Sequence, residues 1–250
     1  MAKVAELLRW MDETYPFALA EDYDNCGLLL GSGEQRVSAC AVALDVTDQV
    51  LQEAAEAGAQ LIITHHPVVF NPLRSVLDGT VVYGCLRRGM AVISSHTCLD
   101  KAPGGVNDVL CARIGLQEVC MVDDGLLRRG ILPKPAEPRA FARLCKERLG
   151  SKGVRAVLGN RPVQTVMVCS GAGGSFVEQA VAEGADALLT GEVKHHEAVA
   201  ARHAGLTLVD AGHFETETVV VPELIRRLSV VFPDIRFFEP EANQPLMEWL

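Results

Sequence analysis

Short runs of aliphatic and β-branched residues alternate with segments whose apolar positions recur every three or four residues, almost from end to end of the chain. MAKVAELLRWMDETYP opens it as an amphipathic helix that carries charges throughout. Val37–Val46 (VSACAVALDV) reads as a strand, and Thr47 as the cap of the helix DQVLQEAAEAGA. LIIT (61–64) ends abruptly at His65, His66 and Pro67; a helix around 80–88 then leads to AVISS (91–95), which ends at His96. Residues 104–115 turn into another helix. RRGILP reads as a strand, and AFARLCKERLG as a helix closed by Gly150. VQTVMVCS, SFVEQAVAEGA, DALLT, KHHEAVAARHAG and LTLVDA continue the alternation. A long helix from about Glu215 to Phe232 and a last strand in IRFFEP complete it. This order predicts an α/β fold with mainly parallel sheets.

The Pro-bearing stretch 132–138 (LPKPAEP) is the one credible seam, and both halves contain strand–helix–strand units whose strands end in polar residues. Two lobes are therefore expected: a discontinuous one of about residues 1–125 plus 206–250, and a second of about 126–205. With 49% hydrophobic and 22% charged residues in 250, the chain is neither disordered nor a disulfide-stapled miniprotein. Its 23 basic and 32 acidic residues leave a net charge of −9, which argues against a nucleic-acid-coating surface. That charge leaves room for one small anionic substrate held locally by metal ions. The eight cysteines come no closer than nine residues apart, so no zinc-ribbon spacing exists. They read as small buried hydrophobes of a reduced, cytoplasmic protein. The first helix lacks the apolar core of a signal peptide, and nowhere do 18 apolar residues run together, so no membrane span is expected.

In an open parallel sheet, function gathers beyond the carboxyl ends of the strands. His65-His66 ends one strand, His96-x-x-x-Asp100 another, and His213-Phe-Glu-Thr-Glu217 follows a third. Imidazoles and carboxylates are the donors expected for zinc, iron, manganese or cobalt. Taken singly, a His-His pair at a strand end is more often a hydrogen-bonded turn, and a His-x-x-x-Glu helix pair a solvated one. Three such clusters at three strand ends point to a shared metal site. His195 and His196 open a helix, where they can line a cleft or simply start it. His203 suits the last turn of that helix through the dipole. CSGAGGS (169–175) reads as a tight turn, with anion cradling the other option. No G-x-S-x-G and no G-x-x-x-x-G-K-[ST] occurs.

Five ordered segments carry a resemblance over nearly the whole chain: DYDNCGLLLG (22–31), ITHHPVVF (63–70), SSHTCLDKAPGGVND (94–108), LLTGEVKHHE (188–197) and DAGHFETE (210–217). The chain resembles the Nif-three-like dinuclear metal-centre family, the GTP cyclohydrolase I type 2 homologues, in its short form without a central insertion. The resemblance implies two interlinked α/β lobes with the metal site in the cleft between them, assembled as a toroidal homohexamer. It implies two divalent metal ions (Zn, Fe, Mn or Co) held by His65, His66, Asp100, His213 and Glu217, with His96 close by as the candidate catalytic proton carrier. His195 or His196 is the alternative carrier. Asn25 and Glu192 also match motif positions. Tyr23 stands where Trp is usual, Cys98 where Asn is common and Phe214 where Tyr is common, which bears on substrate fit and leaves the ligands intact. Cys98, two residues from Asp100, is open to a redox or alternative-ligand role. The implied activity is hydrolysis of a small anionic, nucleotide-like substrate, GTP in particular, attacked at C8 of the purine by a metal-activated water. The same ligands also suit a non-catalytic metal-handling protein or a scaffold.

Overall fold

Val4, Leu7 and Met11 recur at helical spacing and are fully buried, which fixes the inner face of helix α1 (Val4–Thr14) in this computed structural model, which describes residues 2–248. The chain then runs through β1 (Gly27–Leu30), β2 (Ala39–Ala43), α2 (Asp48–Glu56), β3 (Leu61–Thr64), α3 (Val81–Arg87), β4 (Ala91–Ser94) and the short α4 (Thr97–Lys101). It continues with α5 (Val106–Ile114), β5 (Gln117–Val122), β6 (Leu127–Ala136), α6 (Pro138–Leu149), β7 (Arg155–Val157) and β8 (Val163–Val168). Next come α7 (Val177–Ala182), β9 (Ala187–Thr190), α8 (His195–Ala204), β10 (Thr207–Asp210) and α9 (His213–Glu217), before α10 (Val220–Val231) and β11 (Arg236–Phe238). Thr47 caps α2, its hydroxyl accepting from the Val50 N–H at 3.1 Å. Gly150 closes α6 in the left-handed conformation.

The chain divides into two compact units. The first comprises the residues up to Ala102 together with Val221–Gln244, and holds a five-stranded sheet of order β1-β4-β3-β2-β11. All its pairings are parallel except β1 with β4. β2, β3 and β4 are buried along their whole length, as strands covered on both faces must be. On one face Ala41, Ile62 and Val92 pack against Leu51 and Ala54 of α2 and Cys85 of α3.

The second unit, Pro103–Val220 with the stretch from Pro245, holds a six-stranded sheet of order β5-β6-β8-β9-β10-β7. Here the central β8, β9 and β10 are parallel, while β5, β6 and β7 pair antiparallel. The mixture has a local cause: β5 and β6 are joined by the tight Asp123–Leu126 turn, and a short turn forces antiparallel neighbours. Alternate residues of β8 face opposite layers. Val166 and Val168 meet α5 and α6, whereas Met167 and Cys169 meet α7 and α8.

Two differences from the sequence reading have physical reasons. The units change over at 102/103 and 220/221 rather than at 125/126 and 205/206, because β5 pairs with β6 and β10 lies between β9 and β7, so both strands belong to the second sheet. The expected single helix from about Glu215 is two helices, α9 and α10. Pro222 lacks the N–H that would bond the Thr218 carbonyl, so it sits comfortably only in the first turn of a new helix. Among the described residues no helix is long and apolar enough to cross a membrane.

One buried charge anchors the second unit. Arg128, on β6, is 1% exposed and donates from Nε to the carboxylate of Asp108 on α5. Asp108 also accepts from the Gly104 N–H at 2.6 Å. Removing one member of a buried pair strands the other charge, so Asp108→Ala is expected to lower stability by about 3 kcal/mol in urea unfolding. Arg128→Met, which removes the charge itself and keeps an apolar stem, should cost clearly less.

Candidate metal centre

Register delivers the chemistry of the first unit. Ala43 pairs with Thr64 and Thr64 with Ser94, so β2, β3 and β4 run out at one level, and Thr64 Oγ1 lies 2.9 Å from Ser94 Oγ. Within two residues come Asp45, His65, His66 and His96. The three ring centroids are 5.0, 5.1 and 5.5 Å apart, and one ring nitrogen of each histidine lies within 4.8 Å of the others.

Each of these rings is held by its Nδ1. His65, 1% exposed, has Nδ1 3.0 Å from the Ser95 carbonyl. A carbonyl only accepts, so His65 donates from Nδ1, and the neutral ring keeps its lone pair on Nε2. Asp45 Oδ1, 2.9 Å from His66 Nδ1, fixes the same tautomer there, and Asp24 Oδ1 does so for His96 at 3.0 Å. Asp100, buried on α4, brings Oδ1 to 3.7 Å from His65 Nε2.

Asp24 owes its position to α4. Its enclosed carboxylate accepts from the Thr97 N–H at 2.9 Å and the Thr97 hydroxyl at 2.6 Å. Burial works to raise its pKa, but the hydrogen bonds from His96 and Thr97 outweigh it and hold the carboxyl well below the usual carboxylate range. Asn25 fastens the same loop to the following segment, donating from Nδ2 to the Val69 carbonyl at 2.6 Å.

The second unit has its own cluster. One turn of α9 sets His213 Nε2 3.1 Å from Glu217 Oε2, and Glu192 Oε1 lies 2.9 Å from His213 Nδ1. Burial disfavours a charged His213, but the Glu217 and then the Glu192 carboxylate prevail and raise its pKa to about 9. This pocket strongly favours a positive charge at His213.

The glycine-rich loop after β8 bends at 171–172 and continues as a 3-10 helix, Gly173–Phe176. Three of its N–H groups are taken up by side chains of the same unit: Ser170 by Asn107 at 2.8 Å, Gly171 by Thr216 at 3.1 Å and Gly173 by Thr190 at 2.8 Å. Gly171, at φ +58°, comes so near α9 that a Cβ there would collide with Glu217 Oε1.

Imidazole nitrogens and carboxylate oxygens, with no thiolate among them, fit a borderline divalent ion. Carboxylate or carbonyl anchors behind each imidazole are the usual means of orienting a ligating histidine. The structure thus groups His65, His66, His96 and Asp100 in the first unit, and His213, Glu217 and Glu192 in the second. His195 lines a cavity of about 260 Å³ with Arg155, Lys194 and Asp210, and the His196 side chain is 78% exposed. Asp24 and Asp45 are the residues sequence reasoning passed over. Asp24 was in plain view in the DYDNCG segment, while Asp45, 21 positions before its partner, gave no spacing signal.

The comparisons agree with one another. The family model Duf34/NIF3 (NGG1p interacting factor 3) matches residues 2–244. A Clostridium perfringens protein named GTP cyclohydrolase 1 type 2 homolog is 28% identical over 97% of this chain and 98% of its own length. A Helicobacter pylori protein named GTP cyclohydrolase 1 type 2 is 29% identical over 96% of this chain and 98% of its own. The crystal structure of the Staphylococcus aureus protein SA1388 superposes with a TM-score of 0.94 at 26% identity, over 99% of both chains.

Two outcomes test the second cluster in metal-free protein. The folded pKa of His213, about 9, lies above its reference value of 6.5, so the stability it contributes is complete below pH 6.5 and is lost as pH rises through about 9. Thermal melts with chelator across that window should show the loss in the wild type, and Glu217→Gln should flatten it. Gly171→Ala should push Glu217 off the ring and move the His213 pKa down towards 6.5, as followed by NMR titration.

Proposed function

The chain belongs to the Duf34/NIF3 family, and on that premise we propose that it is a dinuclear metal-dependent hydrolase of a small anionic, nucleotide-like substrate, with GTP the specific candidate. The observation that carries the reading is the set of imidazoles anchored through Nδ1 to Ser95, Asp45, Asp24 and Glu192. Three rings, His65, His66 and His96, each anchored through Nδ1 by an acceptor that cannot donate, and a fourth, His213, oriented by Glu192, are costly to build and are what ligation or directed proton transfer requires.

In this reading His65, His66, Asp100, His213 and Glu217 hold the ions, and His96 does not. Once bound, two divalent ions would neutralise phosphate charge, polarise the substrate and bring the pKa of a water towards neutrality. Everything else falls to the chain. Asp45 and Glu192 keep the His66 and His213 rings turned and raise their basicity. Asp24, held ionised by the hydrogen bonds from His96 and Thr97, orients the His96 ring. His96 is the group placed to accept a proton from an attacking water beside His65 and His66 and return it to the leaving group. On a chain of net charge −9, the cations would be the main attraction for a triphosphate. The names of the Clostridium perfringens and Helicobacter pylori relatives support GTP, whose purine imidazole ring would open at C8.

The deciding experiment pairs metal analysis with turnover. Metal-reconstituted wild type should hold about two ions per chain, and Asp100→Ala and Glu217→Ala clearly fewer, with all three folded. Incubated with GTP, the wild type should give a ring-opened product by mass spectrometry. His96→Ala should keep its metal and lose about 10²-fold or more in rate. Two tightly held ions in both ligand variants would overturn the ligand assignment. A fully loaded wild type that leaves GTP intact would overturn the substrate and favour a metal-handling role.

A further inference from the structure

Cys26 and Cys98 are 72 residues apart in sequence, and the fold brings their sulfurs to 3.5 Å. The strand pairing explains the approach. β1 runs antiparallel to β4 with Gly27 opposite Ser94, so Cys26 lies across from the end of β4, just where the chain turns into α4. Asp24 binds the two segments together through Thr97 and His96. Each sulfur is also held from its other side: Ser95 Oγ lies 3.2 Å from Cys98 Sγ, and the His96 N–H donates to Cys26 Sγ at 3.4 Å. Cys98 is fully buried and Cys26 half-buried, so a small reagent arriving from solvent meets Cys26 first. Both thiols are free in this structure, and neither belongs to the donor set proposed for the ions.

We propose that Cys26 and Cys98 form a modification site, a dithiol that hydrogen peroxide converts into an intramolecular disulfide. The sulfurs already touch, and bonding them needs an approach of about 1.5 Å, which side-chain rotation can supply. One of the two sulfurs, as thiolate, attacks one peroxide oxygen; the O–O bond breaks, one water leaves and that cysteine becomes a sulfenic acid. The other sulfur then attacks the sulfenic sulfur; the S–O bond breaks, the S–S bond forms and a second water leaves. The two thiols lose two hydrogens and two electrons in total, and one peroxide is reduced to two waters. A partner sulfur at contact distance favours this second step over further oxidation, because no diffusing reagent has to reach it. The disulfide would tie the loop bearing Asp24 and Asn25 directly to the helix bearing Asp100.

The test uses the full chain treated with hydrogen peroxide, then unfolded, blocked with N-ethylmaleimide, digested and read by mass spectrometry without reductant. The expected product is one linked peptide pair, Cys26 with Cys98, lighter by two hydrogens and separated again by dithiothreitol. Together with blocking of Cys120, the exposed thiol, before oxidation, it leaves two fewer thiols than the protected control. Cys26→Ser and Cys98→Ser should each abolish the link. Recovery of both residues as maleimide adducts, or of sulfinic acid on either without a link, would overturn the proposal. The primary reading is made on the unaltered sequence, so a variant that fails to fold does not blunt it.

Discussion

Parallel strands that end level are the constraint on which the first unit's chemistry rests. Because Ala43, Thr64 and Ser94 share one register, the next residues of three strands emerge side by side, and their side chains have nowhere to go but the same small volume. A slip of one residue in β3 would turn His65 to the opposite face and exchange it with His66, since side chains alternate along a strand. Burial of all three strands on both faces prevents that slip: Ile62 and Ile63 are each completely enclosed, on opposite sides of the sheet. The packing of the core and the placement of the imidazoles are therefore one specification rather than two.

Electrostatics adds to placement, because each cluster is rich in carboxylate. Carboxylates back His66, His96 and His213, and two of them flank His213. In a chain of net charge −9, burial works against a charged His213, but its two carboxylates favour the protonated form and raise its pKa to about 9. The Arg128–Asp108 pair shows another use of charge within the same chain, a cation and a carboxylate bonded directly to each other between β6 and α5.

Much of this was legible in the residues. The fully apolar strands LIIT and AVIS, their polar endings and the capped helices between them give away the α/β order, since a central parallel strand has no need of alternation. His213 and Glu217 were readable as a pair because helical spacing is local. What escaped was non-local or short. Asp45 meets His66 only through strand pairing, β7 has three residues, and the changeover between units depends on which sheet adopts β5 and β10. The helix break before α10 was signalled by Pro222, but the amphipathic pattern on either side of it concealed the signal.

The position of β11 has a bearing on how the protein is made. Although the first unit opens the chain, its sheet takes Arg236–Phe238 as the neighbour of β2, and Asn243 supplies the acceptor for the Leu44 N–H. The strands of the second sheet, by contrast, all lie between Gln117 and Asp210. On the ribosome the second sheet has all its strands in hand while β2 still presents an open edge, so the unit that begins first is completed last. An exposed parallel edge of buried, apolar character is a site for wrong partners, and the interval before β11 arrives is when a nascent chain of this sequence has most need of a chaperone.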